Sequence, residues 1–439
     1  MHSPLVREVP LRIAARSLTW HGLRGVPLAI FGLAFEGSGA LYRPEFSDSA
    51  CLSLMKRLLQ PLFAAALLLA PLAPAQDPTV LFNHGDKDYG MYRLPGIVRT
   101  TSGNLIAYAE GRKNPEMRWS DAMVFFRVSK DGGKTWSDAV ELAKKPTDAK
   151  QNPVLLDKGA AEAGQIGLHN VSAIADKDGG VHWLYCVEFN RCFYLKTDDT
   201  GAAASAPVEI TATFDAFRPE VDWKLIATSP GHGIQLKDTG RLVTPVWVSK
   251  GEMGIGMQPA AVSTIFSDDG GKTWKRGDIV AHEATLEGTK TGSKMELPGE
   301  AAIVQAGDGT VLINVRNKGL QGKRGQATSK DGATGWSEIA YIDALAEPIC
   351  HASFTQVEGG IVFANPANMI MRKSLTARLS ADNGKTWAKS FVIEEGVAGY
   401  SDMASDGKTI YAVFEKGANP SDRDPEAVVF KSFGLDALK

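Results

Sequence analysis

Five short segments set a reactive polar side chain inside an otherwise apolar or glycine-rich run. Arg93 lies in Tyr92-Arg93-Leu94-Pro95-Gly96-Ile97-Val98. Glu300 follows Gly299 and opens the apolar run Ala301-Ala302-Ile303-Val304. Arg316 lies in Asn314-Val315-Arg316-Asn317, and Arg372 stands between Asn365-Pro366 and Leu375-Thr376-Ala377-Arg378-Leu379-Ser380. Tyr400 lies in Gly399-Tyr400-Ser401-Asp402. Guanidinium is permanently charged, planar and able to donate two parallel hydrogen bonds, so arginines suit a carboxylate. A tyrosine hydroxyl, with an ordinary pKa near ~10, becomes a nucleophile only beside a base, and a glutamate can supply one. Any one of these side chains alone is ordinarily a solvated charge or a structural group. Their chemistry depends on a fold that gathers them.

The elements that would do so are strands. Val181–Tyr185, Leu242–Val248, Ala301–Gln305, Val311–Val315, Ile361–Ala364 and Ile410–Phe414 are short apolar runs bounded by Gly, Asp and Asn. No long segment has a helical period. An internal repeat narrows the all-β choices. Ser129-Lys130-Asp131-Gly132-Gly133-Lys134-Thr135-Trp136 returns as Ser267 to Trp274 and again as Ser380 to Trp387. A worn copy runs from Ser329 through Asp331 and Gly332 to Trp336, with Gly335 in the threonine's place. This Asp box is structural. Its Ser and Asp oxygens tie a tight turn, its glycine takes a conformation closed to other residues, and its Trp packs beneath. Two intervals between boxes suit one four-stranded blade each, and the longest suits two. The expectation is an all-β, six-bladed β-propeller with Asp-box repeats, folded as one domain.

The 439 residues are 44% hydrophobic and 22% charged, which suits a large globular core. The 48 basic and 50 acidic residues nearly cancel, so no basic field points to nucleic acid. Met55-Lys56-Arg57, the apolar run Leu58 to Leu72 and Ala73-Pro74-Ala75 read as a secretory signal peptide, 55–75, too short and wrongly flanked to span a membrane. Residues 1–54 then form an upstream extension or a mis-called start, and the mature protein, 76–439, is secreted or periplasmic. Cys186, Cys192 and Cys350 leave an odd thiol in an exported chain. Cys186 and Cys192 could bridge across a turn; two buried thiols are the favoured reading. No spacing suggests a metal site, and no cofactor motif is present.

Together the segments resemble sialidases, and glycoside hydrolase family 33 most nearly. Tyr92-Arg93-Leu94-Pro95 is similar to the Tyr-Arg-Ile-Pro signature that opens them, and the other segments follow in family order across the mature chain. The resemblance implies a retaining exo-α-sialidase (EC 3.2.1.18) acting on sialylated glycans or related acidic sugars. It implies that Arg93, Arg316 and Arg372 clamp the substrate carboxylate, and that Arg112, in Ala109-Glu110-Gly111-Arg112, is a further substrate-side arginine. It also implies Tyr400 as nucleophile and Glu300 as its base. Chemistry agrees, since a carboxylate nucleophile would be repelled by the substrate's own carboxylate while a tyrosine is neutral until its proton leaves.

The proton donor departs from the family pattern. Ungapped counting puts Arg118 at the acid's place, and arginine does not release a proton near neutral pH. Asp121 is the favoured donor, with Glu116 the alternative. Two rival readings therefore stand beside the hydrolase: a glycan-binding propeller that has lost catalysis, and a hydrolase of another anionic sugar. The segments His169-Asn170-Val171-Ser172 and Glu188 to Cys192 are candidate pocket walls, and Gly231-His232-Gly233-Ile234 resembles a strand-turn near the pocket rim.

Overall fold

Each apolar run named above is a strand, and most extend past the apolar stretch at the ends where chemistry is carried. Ala301–Gln305 grows backward to Pro298–Gln305, which takes in Glu300, and Val311–Val315 grows forward to Val311–Asn317, which takes in Arg316. The alternation fails at those ends because the side chains there face a cleft rather than the core. The computed structural model describes residues 77–117, 119, 121–319, 321–419 and 424–438. The segment 55–75 expected to be a signal peptide, the segment 1–54 and Arg118 lie outside the described residues.

The described strands form five sheets. The first runs Met91–Arg99, Leu105–Arg112, Ala122–Ser129, Val140–Glu141. The second runs Leu168–Ala175, Val181–Val187, Arg191–Thr197, Val208–Glu209 and adds Gly231–His232 in parallel at its inner edge. The third is built on Leu225–Thr228, Leu242–Met253, Gln258–Ser267 and Lys275–His282, and the fourth on Pro298–Gln305, Val311–Asn317, Lys323–Ser329 and Ala340–Ala346. The last sheet has seven strands: six from Ser353–Val357 to Ala427–Gly434, and the first strand of the described chain, Thr79–Asn83, which closes it by pairing with the last, Ala427–Gly434.

The arrangement is all-β and propeller-like, but it has five sheets where six separate blades were expected. The reason is one strand. Lys389–Ser405 is 17 residues long; its first half pairs with Lys373–Ser380 and its second half with Thr409–Gly417. It therefore fuses two meanders into a single hydrogen-bonded sheet. Sequence reading sees the turns between blades, and here no turn separates them.

The boxes lie where a strand ends against the neighbouring sheet. In the first, Ser129 Oγ accepts from Gly133 N at 2.8 Å and Asp131 Oδ1 accepts from Thr135 N at 2.9 Å. Gly133 sits at φ +91°, and a Cβ there would lie 2.3 Å from the Phe430 ring of the closing sheet. Trp136 meets the same ring edge-on at 5.2 Å. The worn box survives by a one-residue shift: Thr334, not Gly335, donates its N–H and hydroxyl to Asp331, at 2.8 and 3.0 Å. Ser267 is buried and bonds both Asp269 Oδ1 at 2.8 Å and Gly271 N at 2.9 Å. Ser267→Ala should therefore destabilise the fold by roughly 1–2 kcal/mol, a loss of a few degrees in Tm readable by calorimetry, with the cleft unaffected.

Four register breaks prepare the site. The inner strands of four meanders slip between Arg93 and Gly96, His169 and Ser172, Pro298 and Ala301, and Ala398 and Ser401. A bulge bends a strand and re-aims its side chains. Arg93, Asn170, Glu300 and Tyr400 all fall within these breaks.

Candidate functional site

The bulged ends line one open cleft of about 650 Å³, counted with the space at its mouth. Arg93, Arg112, Arg316, Arg372, Glu300 and Tyr400 all line it. Arg93, Arg316 and Arg372, the arginines expected to form a clamp, surround the Tyr400 ring. Their guanidinium carbons lie 5.5 Å (Arg93), 5.6 Å (Arg316) and 5.1 Å (Arg372) from its centroid. All three are nearly buried.

Each arginine is held from behind. Glu415 takes Arg93 in a two-pronged bond, Nε at 3.0 Å and Nη2 at 3.2 Å. The same carboxylate accepts from the backbone N–H of Leu94 at 3.1 Å and of Tyr400 at 3.0 Å. Burial pushes the Glu415 carboxyl up, but Arg93 outweighs it and holds the group below the usual range. Arg316 and Arg372 share one acceptor: Nη2 of each donates to the carbonyl of Ile349 at 2.8 Å. Arg316 Nη1 also contacts both Glu300 and the Tyr400 hydroxyl. Arg316 Nε and Arg372 Nε and Nη1 are buried donors with no hydrogen-bond partner among the described residues. Buried donors are normally satisfied, so these three define where acceptor oxygens belong.

The Tyr400 hydroxyl lies 2.8 Å from both oxygens of Glu300. Burial first, and Glu300 second, raise its pKa well above the ordinary value, against the three arginines. Burial raises the Glu300 carboxyl too, but Arg316, with help from His351 and Lys318, overrides it and brings it down to about 2. The pair thus rests as a protonated tyrosine donating to an ionised glutamate.

Arg112 stands on another wall, its Nε 2.7 Å from the fully buried Glu110. Burial raises Glu110, and Arg112 with His169 brings it down to about 2. Asn170, at φ +49°, donates its backbone N–H to Glu110 at 3.1 Å and lines the cleft. His169 does not reach the cleft; it stacks on Phe189 at 4.5 Å. Trp119, Phe189, Trp247, Ile255 and Met257 complete an apolar wall.

The proposed proton donors stand apart from this group. Asp121 does not line the cleft; it pairs with Lys145 and, at 3.5 Å, with Lys113. Burial raises its carboxyl, but the two lysines win and hold it below the usual range. Glu116 is exposed, its backbone N–H bonded to Asn114 Oδ1 at 3.0 Å. Among the described residues, Glu300 is the one carboxylate lining the cleft. Gly231-His232 also differs from the expected rim position: His232 lines a second hollow with Gln305, Gln356 and Met403, and bonds Asp402 at 2.8 Å. Cys186 and Cys192 face each other across adjacent strands as buried free thiols, and Cys350 is likewise free and buried, packed with Leu94 and Tyr400.

Two supports escaped sequence reading. Glu415 had one visible signal, a carboxylate closing the apolar run Ile410–Phe414. The Ile349 carbonyl had none, because every residue carries one.

Fold and cleft together define a propeller-like β-protein with an arginine-walled cleft. The chain matches the model of the BNR repeat-like domain over residues 103–413, and it belongs to that family. It is 26% identical over 377 residues to a sialidase of Micromonospora viridifaciens, covering 78% of this chain and 53% of that one. It is 26% identical over 368 residues to a sialidase of Bacteroides fragilis, covering 75% and 61%. The chain thus spans less than two thirds of either relative's length. Among solved structures, a Hadza microbial sialidase superposes with a TM-score of 0.66 at 22% identity, over 84% of this chain and 71% of that one. An intramolecular trans-sialidase from Ruminococcus gnavus superposes at 0.62 and 17% identity, over 82% and 98%.

Proposed function

We propose that this protein is an exo-α-sialidase that removes terminal sialic acids, or closely related acidic sugars, with retention of configuration. The observation that carries the reading is the ring of Arg93, Arg316 and Arg372 around a Tyr400–Glu300 pair, with three unpartnered buried guanidinium donors. A sialoside carboxylate supplies acceptor oxygens of the right charge. Its arrival also alters the base. Arg316 now bonds Glu300; drawn toward a substrate carboxylate, it releases its hold, and the Glu300 carboxyl becomes basic enough to take the tyrosine proton. Tyr400 then attacks the anomeric carbon as the glycosidic C–O bond breaks and the departing oxygen takes the proton of the general acid; water later attacks the same carbon and releases the tyrosine, which regains its proton from Glu300. The segment 55–75 would direct export, with 76–439 as the mature domain, secreted or periplasmic.

Asp121 is the proposed general acid, and in that role it has to leave Lys145 and Lys113 when substrate binds. Asp121→Asn should lower turnover of a sugar-linked sialoside by about 10²–10⁴-fold. An aryl sialoside, whose phenolate leaves without a proton, should be cleaved nearly as before. Equal rates for variant and wild type on both substrates would remove Asp121 from the mechanism. Glu300 being the one carboxylate that lines the cleft among the described residues favours a second reading, a sialoside-binding propeller without turnover. Release of the fluorophore from a coumarin sialoside by purified protein separates the two: turnover supports the hydrolase, and saturable binding without release supports the binder.

A further inference from the structure

Behind the clamp runs a strap, Ala346 to His351, which carries the Ile349 carbonyl and the Cys350 thiol. Asn365 Nδ2 donates to the Ala346 carbonyl at 2.6 Å, and Glu347 N donates to Gly322 O at 2.9 Å. Ile349 offers its carbonyl to two clamp arginines, and the next carbonyl, of Cys350, accepts from Arg324 Nη1 at 2.8 Å. Ile349 holds φ +56°, a rare conformation for a β-branched residue, and strain of this kind persists only where surroundings enforce it. The fully buried Arg324 is the enforcing group. Its Nε and Nη2 bond Asn314 at 2.6 and 3.1 Å, two residues before Arg316 on the same strand. Its Nη1 also lies 2.9 Å from Glu347 Oε2.

We propose that Glu347 is a positioning residue: through Arg324 and the Ala346–His351 strap, its charge sets how strongly Arg316 and Arg372 hold an anionic ligand. Glu347 is buried, and among the described residues its carboxylate has Arg324 and the backbone N–H of Asn317 as its polar neighbours. Burial raises its pKa to about 7 against the pull of Arg324 and Arg316. It therefore changes charge near neutrality, while Glu300 and Glu415 stay ionised. The groups that face it are Arg324, Arg316, Lys318 and the Cys350 thiol. Burial brings Lys318 down to about 8, so it titrates a step higher. Burial raises the thiol, which stays neutral. Protonated Glu347 leaves Arg324 without its counter-charge and Arg316 with Glu300 alone. Ionised Glu347 offsets one positive charge and competes with the ligand for it.

The sign for stability follows from the same shift. A carboxyl raised above its unfolded value stabilises the fold fully below the ordinary carboxylate range, and that contribution is lost as pH rises through about 7. Glu347→Gln, which is always neutral, should therefore fold at least as well as wild type at pH 8.

The inference rests on the sialoside reading, and its test separates the two. Calorimetric titration of the purified full chain with the 2,3-didehydro analogue of sialic acid, from pH 5.5 to 8.5, should show affinity falling roughly three- to tenfold through pH 7, the order expected of one buried charge at an effective dielectric near 20. Glu347→Gln should lose that break and keep the acid-side affinity at pH 8, and Glu347→Asp should restore a break. The KM for an aryl sialoside should follow the affinity while kcat moves less. A wild type that binds equally at all pH values, or a Gln variant that keeps the break, would overturn the role of Glu347 while leaving the clamp in place. No binding at any pH would instead overturn the sialoside reading and this inference with it.

Discussion

Replacing Tyr400 with phenylalanine is expected to lower turnover of a sialoside by about 10³-fold or more, while binding of a carboxylate ligand changes little. The argument is local. Phenylalanine keeps the ring that Arg93, Arg316 and Arg372 surround at 5.1–5.6 Å, so the clamp keeps its centre. It removes only the oxygen that lies 2.8 Å from both Glu300 oxygens. Glu300 retains Arg316 as partner, so no buried charge is orphaned, and the stability change should be about 1 kcal/mol. Steady-state kinetics on an aryl sialoside and calorimetry with a sialic acid analogue read the two halves of this prediction. Unchanged turnover would remove Tyr400 from the chemistry. Loss of binding together with turnover would mean that the hydroxyl organises the clamp rather than attacking.

Glu415→Ala is expected to do the opposite, damaging the fold and the site together. One carboxylate here joins four donors: two nitrogens of Arg93 and the backbone N–H groups of Leu94 and Tyr400. Removing it leaves a buried guanidinium with only the half-exposed Asp424, 3.9 Å away, as counter-charge, and breaking a buried pair by deleting one partner is worth about 3–5 kcal/mol. Leu94, at φ +53°, and the bulge between Arg93 and Gly96 would lose the group that pins them. The midpoint of chemical denaturation should fall accordingly, and KM for a sialoside should rise at least tenfold at temperatures where the variant is folded. Glu415→Gln should recover part of the stability, because its carbonyl oxygen still accepts, but not the charge that holds Arg93. A Glu415→Ala variant as stable as wild type would show that the Arg93 anchor is dispensable.

The two variants mark what the sequence could and could not disclose. Asp boxes were legible because their serine, aspartate and glycine are required within a few residues of one another. Even the worn copy was found, though its threonine role falls on Thr334 rather than position 335. The clamp arginines and the Tyr400–Glu300 pair were legible through their neighbours in sequence, not through any spacing between them. What joins them is three-dimensional: Glu300 and Tyr400 are a hundred residues apart and meet only because two inner strands bulge toward one cleft. Supports acting through carbonyls left no trace, as at Ile349. Sheet fusion through Lys389–Ser405 was hidden because a long strand and two short ones have the same alternation. The surroundings of Asp121 were hidden as well, since Lys145 lies 24 residues away and is brought alongside by the fold.

The central claim is that the three-arginine ring presents a sialoside to Tyr400 for covalent attack. Incubating the purified protein with a 2,3-difluoro sialic acid, which slows breakdown of a glycosyl-enzyme, tests it most directly. Intact mass spectrometry should show one added glycosyl unit, peptide mapping should place it on Tyr400, and Tyr400→Phe should show none. A protein that binds the reagent yet gains no mass, or that carries the sugar on another residue, would contradict the account.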